Sequence, residues 1–209
     1  MLTRSHARAL QGMVVEDAMT LHGYFDDSGR GQKAVFVLAG FLSTTEGWAA
    51  FNTDWQRVLD KHPPLPAFKM KDAMGPAREW YAMGESARRA RLDDFLSVIS
   101  EHAMMGIGCA VDTAAWDEVI GGGLDAQEAI YQVALMAIIG FTARYRRDAG
   151  LSDRVKFTFD EQMTEFPRAV RTFARVMKGN NLLHDCVECE PVSATDEEAM
   201  PLQAADYLA

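Results

Sequence analysis

Apolar residues gather in short runs at Leu21 to Asp26 and at Lys33 to Leu42, and the turn-rich stretch DDSGRG, Asp26 to Gly31, lies between them. Two such runs joined by a short glycine-containing turn predict an antiparallel hairpin, with Asp26 at the end of its first strand. From Thr44 to Lys61 the period changes. Trp48, Phe51, Trp55, Val58 and Leu59 recur at helical spacing behind Ser43 and Thr44, which are suited to cap a helix. The run HPPLP, His62 to Pro66, ends that helix, because proline has no N–H to give it. Ala67 to Met70 reads as a short strand, Ser86 to Glu101 as a second amphipathic helix, and Met104 to Val111 as a buried strand.

Asp112 and Thr113 are placed to cap a short helix, which the glycines 121 to 123 then break. A long helix follows from Asp125 to Ala149 and stops at Gly150. Within it, the apolar stretch Ala129 to Phe141 is shorter than the roughly 20 residues of a membrane span, so it reads as a core helix. Val155 to Phe159 is a strand ending at Asp160-Glu161, Phe166 to Lys178 a helix, and Cys186 to Val192 a strand. Pro201 opens a last helix. Helical patterning persists to Tyr207-Leu208-Ala209 without a cap, which leads us to expect that the chain continues. A leading hairpin followed by strands alternating with helices predicts an α/β protein with a mixed sheet. The expected organisation is an N-terminal extension, residues 1–20, and one domain over 21–209.

Composition narrows the class. With 48% hydrophobic and 24% charged residues the chain is an ordinary globular sequence, neither disordered nor disulfide-stapled. Three cysteines, and no apolar stretch after the basic residues of MLTRSHARAL, fit a cytoplasmic protein. The net charge of −9 lacks the basic footprint of many nucleic-acid binders. Part of it is accounted for if some carboxylates are gathered to hold metal ions.

Three acidic positions stand at comparable places: Asp26 and Asp160 at strand ends and Asp206 on the C-terminal helix. Strand ends form the functional rim of open α/β sheets. If the strands of Asp26 and Asp160 are neighbours, a helix docked over that edge brings Asp206 within reach. Such carboxylates repel one another unless cations intervene, and hard oxygen donors suit Mg²⁺ or Mn²⁺. Two such ions about 4 Å apart activate water and stabilise the leaving oxygen in phosphodiester cleavage.

The segments YFDDSG (Tyr24 to Gly29), FTFDEQ (Phe157 to Gln162) and PLQAADYLA (Pro201 to Ala209), in that order, resemble the family named domain of unknown function 3800. That family is regarded as ribonuclease H-like. The resemblance implies a mixed five-stranded sheet with helices on both faces, and a divalent-metal-dependent nuclease acting on nucleic acid. Carried over, it makes Asp26, Asp160 and Asp206 the catalytic, metal-binding set, with Asp27 and Glu161 as further ligands and Gln203, Ser28 and Lys69 in support. Two departures stand out. Asp27 replaces the family's usual Glu, and in FKMKD, Phe68 to Asp72, Lys69 replaces a His, leaving lysine as a point charge for phosphate.

Taken singly, DDSG is a turn, Asp160-Glu161 a helix cap with an acidic first turn, and Asp206 a solvated position. Their joint occurrence in the family's order favours a site. Arg168, Arg171, Arg175 and Lys178 share one helical face, either solvated or a phosphate-contacting strip. Arg88, Arg89 and Arg91, or Arg144, Arg146 and Arg147, are rival patches. Cys186 and Cys189 have CxxC spacing without a second pair, which argues against zinc, and five scattered histidines give no support to histidine-based metal chemistry. Two other readings stay open: a regulatory module that holds metal or nucleic acid without cleavage, and a protein–protein interaction domain.

Overall fold

The structure is a computed structural model that describes residues 20–28, 34–121, 126–161 and 166–209. The first two apolar runs form β1 (Leu21–Ser28) and β2 (Val35–Thr44), paired antiparallel as the hairpin pattern requires. β1 runs two residues past Asp26, which therefore lies inside the strand, opposite Ala39. The turn itself, the N-terminal extension up to residue 19, Gly122, Gly123, Asp125 and Gln162 lie outside the described residues.

After β2 comes α1 (Thr45–Leu59), capped by Thr44, whose Oγ1 accepts the Gly47 N–H at 3.0 Å. Three further helices follow: α2 (Met70–Met74), α3 (Arg78–Ala82) and α4 (Gly84–His102). The strand expected at Ala67 to Met70 is absent, because the Phe68 and Met70 N–H groups are bound by side chains of the C-terminal helix instead of a strand ladder. β3 (Met105–Asp112) follows, and Asp112 caps the short α5 (Thr113–Trp116) by accepting the Ala114 and Ala115 N–H groups. A π-helical turn, Asp117–Gly121, precedes the long α6 (Ala126–Asp148). The chain ends with β4 (Val155–Asp160), α7 (Phe166–Met177), α8 (Asn181–Cys186), β5 (Val192–Ala194) and α9 (Pro201–Leu208). The expected strand from Cys186 to Val192 is thus a helix end at Cys186, a single bridge from Val187 to Val155, and a strand that begins only at Val192. Asn180 redirects this segment by capping α8 through the Leu183 N–H.

The sheet has five strands in the order β3-β2-β1-β4-β5, with β2 antiparallel to both neighbours and β1, β4 and β5 parallel. β3 is an edge strand with alternating exposure and not the buried strand that its apolar composition suggests. On one face α6, α7 and α8 cover Phe25, Leu38, Phe157 and Phe159. Among the described residues α6 alone is long and apolar enough to cross a membrane by length and composition. Here it lies against the sheet with Ile130, Leu135, Ile138 and Ile139 buried. The other face carries an aromatic core of Trp48, Phe51, Trp55, Phe68, Trp80 and Phe95, closed by Ala204 of α9 and flanked by Tyr24 and Phe41.

Gly40 lets the two central strands close. It pairs with Phe25, and a Cβ there would stand 1.9 Å from the Tyr24 carbonyl oxygen.

Candidate metal centre

Strand alternation decides which side chains meet. Phe25 and Phe159 are paired across β1 and β4 and point to the α6 face, so Asp26 and Asp160, one residue on, point to the opposite face. α9 packs on that face against β1 and β2. It brings Asp206 to the same pocket, where burial raises the Asp26 carboxyl first, followed by the charges of Asp160 and Asp206. Asp26 and Asp160 are 7% and 4% exposed, deep for ionisable groups that have no ion pair among the described residues.

A scaffold of hydrogen bonds from α9 fixes the loop opposite. The buried Gln203 Oε1 accepts both Trp55 Nε1–H and Phe68 N–H at 2.9 Å, and Gln203 Nε2–H reaches the Asp196 carbonyl at 3.4 Å. Asp206 Oδ2 accepts Met70 N–H at 2.9 Å. Residues 68 and 70 are therefore both pinned to α9, and Lys69 between them sends its Nζ to within 3.3 Å of Asp196 Oδ2. Gln203 positions the loop and supplies nothing to the pocket directly. Asp196 is an acidic neighbour that no spacing rule singles out, although it stands in the acidic run TDEE just ahead of α9.

Electrostatics mark the pocket as short of positive charge. Asp26 is pushed up to about 7 by burial, with the charges of Asp160 and Asp206 adding to it and the Asp27 N–H, 2.7 Å from Oδ1, opposing. Asp160 and Asp206 are also raised, chiefly by burial. Lys69 relieves both in part, and for Asp206 the Met70 N–H and Lys71 help. Burial works to discharge Lys69 itself, but Asp196, Asp206 and Asp26 outweigh it and hold the ammonium above the ordinary lysine range.

The other expected site residues are spread more widely. Alternation turns Asp27 to the face opposite Asp26, although its charge still acts on Asp26 and Asp160. Glu161 is exposed and its N–H joins the Ala194 carbonyl, while Ser28 Oγ–H donates to the Ala209 carbonyl at 2.9 Å. Arg168, Arg171 and Arg175 lie along α7, with Lys178 in the turn just past its end, and α7 packs on the α6 side of the sheet, where Arg168 pairs with Glu128 of α6. Of the rival patches, Arg91 is buried and donates to the Val58 and His62 carbonyls at 3.2 Å, and Arg146 is buried against the carbonyls of Ser152 and Asp153. Both stabilise loops.

A second group was not expected. Asp54 of α1 and Glu101 and His102 at the end of α4 offer ligand atoms that all lie within 4.8 Å of one another, a set able to hold one metal ion. His102 Nε2 stands 2.9 Å from Asp54 Oδ2, and Arg57 pairs with the other oxygen of Asp54. Histidine spacing along the chain gave no support to such chemistry, and His102 enters the group only through the tertiary packing. Packing of α1 against α4 joins positions about fifty residues apart, so no local spacing reveals them. Among the described residues no other trio converges so tightly, and the Asp26, Asp160 and Asp206 carboxylates stand wider apart.

Fold and side-chain chemistry together define a mixed α/β protein with residues able to bind a metal ion. No protein-family model matches the chain, and no curated protein matches it.

Proposed function

We propose that this protein binds a divalent cation, Mg²⁺ or Mn²⁺, through Asp26, Asp160 and Asp206 on a ribonuclease H-like sheet, and uses it to hydrolyse phosphodiester bonds in nucleic acid. The observation that carries the reading is a carboxylate trio on two adjacent strands and a docked helix, two of its members buried and the third half-buried, with the Asp26 carboxyl raised to about 7 by burial and by the charges of Asp160 and Asp206. An all-oxygen donor set fits a hard cation better than a soft one. Once bound, such an ion would lower the pKa of a coordinated water and offset charge on the phosphate. The chain's own part is to hold three carboxylates on rigid elements, to exclude water behind the aromatic core, and to keep the Lys69 ammonium facing the pocket.

A second reading has its own observation. The tighter convergence of Asp54, Glu101 and His102 favours a module that holds a metal ion between α1 and α4 without cleaving anything. Thermal unfolding with and without Mn²⁺ separates the two. A rise in midpoint that Asp160→Asn abolishes and His102→Gln leaves intact supports the carboxylate centre, and the reverse pattern supports the clamp. Cleavage of single- and double-stranded DNA and RNA in Mn²⁺, lost in Asp26→Asn, Asp160→Asn and Asp206→Asn, supports hydrolysis. Salt-dependent binding without turnover supports a regulatory module.

A further inference from the structure

We propose that the Lys69 side chain is a resident cation of the acidic pocket and limits the Asp26–Asp160–Asp206 centre to a single divalent ion. This inference rests on the reading of those carboxylates as a metal centre. Three features of the fold carry it.

The first is position. Lys69 is extended at the start of α2, and the N–H groups on either side of it are bound by Gln203 and Asp206, so its backbone is fixed beside the carboxylates. The second is its partner. Asp196 receives the ammonium at 3.3 Å, and the Asp196 carbonyl is itself bound by Gln203, so one buried amide holds both ends of the ion pair. The third is reach. The ammonium is felt by Asp160 and Asp206 and itself feels Asp26, whereas Lys71, the other cation felt in the pocket, acts on Asp206.

Charge counting gives the consequence. Asp26, Asp160, Asp196 and Asp206 carry four negative charges when ionised, and Lys69 returns one. A divalent ion then leaves one negative charge over. A second divalent ion would make the pocket net positive beside an ammonium already paired with Asp196. Like charges held close together away from bulk water repel strongly. A two-ion arrangement needs both cations about 4 Å apart on the same carboxylates, and the Lys69 charge opposes the second of them. The ammonium is then the natural contact for an anionic oxygen of a phosphate ester held by the single ion.

The test is isothermal titration of the full chain with Mn²⁺ at pH 8, on the wild type, Lys69→Met and Lys69→Arg, each compared with its own Asp160→Asn counterpart. Taking the difference removes any ion held at Asp54, Glu101 and His102. One ion is expected for the wild type and for Lys69→Arg, which keeps the charge. Lys69→Met is expected to take a second ion, or to bind the first at least tenfold more tightly. Two ions in the wild type, or a Lys69→Met protein equal to the wild type in number and affinity, would overturn the inference while leaving the metal centre standing. If Asp160→Asn subtracts nothing from the wild type, the metal-centre reading fails and this inference fails with it.

Discussion

Replacing Asp26 by asparagine removes a charge that the fold does not welcome, and the effect on stability has a definite sign and pH course. The carboxyl is raised from 3.8 to about 7, so between those values the folded chain keeps a proton that the unfolded chain has released. The stability this provides is complete below about pH 3.8, declines as pH climbs, and is gone above about 7. Worked through the linkage relation, the loss relative to an always-neutral side chain is about 2 kcal/mol at pH 5 and about 4 kcal/mol at pH 8. Asparagine has the same shape and still offers an oxygen to the Asp27 N–H, so it avoids the loss. In chelator, the advantage of Asp26→Asn over the wild type should therefore grow by about 2–3 kcal/mol between pH 5 and pH 8. For a domain of this length that corresponds to a relative midpoint shift of roughly 5–10 °C. Urea unfolding of both proteins at the two pH values measures it, and subtracting one protein from the other removes titrations that Asp26 does not influence. An advantage that stays constant within about 0.5 kcal/mol, or an asparagine variant less stable at pH 8, would refute the argument that burial and neighbouring carboxylates strain this site.

Other substitutions follow from the packing. Gln203→Leu strips the acceptor from the Trp55 and Phe68 N–H groups in a buried place, and should cost about 2–4 kcal/mol by urea midpoint with an unchanged slope. Arg91→Met takes the donor from the His62 carbonyl, leaves the Val58 carbonyl with the Lys61 N–H, and should cost about 2–3 kcal/mol, while Arg89→Ala on the exposed face should stay within about 0.5 kcal/mol. Gly40→Ala forces a methyl group against the Tyr24 carbonyl, and a loss of about 3 kcal/mol or more is expected in thermal unfolding.

Much of the architecture was legible in the chain because it is written in short-range periodicity. The apolar run Leu21 to Asp26 and the helical recurrence of Trp48, Phe51 and Trp55 are properties of neighbouring residues, and they survive into β1 and α1. Proline at 201 and the caps at Thr44 and Asp112 act within one turn, so their effects could also be read locally. Where pattern misled, a distant partner had intervened. Phe68 to Met70 has strand-like composition, but its N–H groups are claimed by Gln203 and Asp206, more than 130 residues away in sequence. Met105 to Asp112 is apolar enough for a central strand, yet strand order leaves it at the edge.

The site divides along the same line. Sequence by itself nominated candidate residues, an acidic set of Asp26, Asp160 and Asp206 with Lys69 as the unusual cation, because residue type and motif order are local information. Only the tertiary structure decided which of them share a pocket. The parallel pairing of β1 with β4 and the docking of α9 bring the three carboxylates to one face, and alternation sends Asp27 to the other. It also revealed Asp196 beside Lys69, and joined Asp54 to His102 across two helices. The reason is physical: the covalent chain fixes the period of side chains within an element. Burial of two apolar faces against separate helix layers fixes which elements touch, and that depends on the whole chain at once.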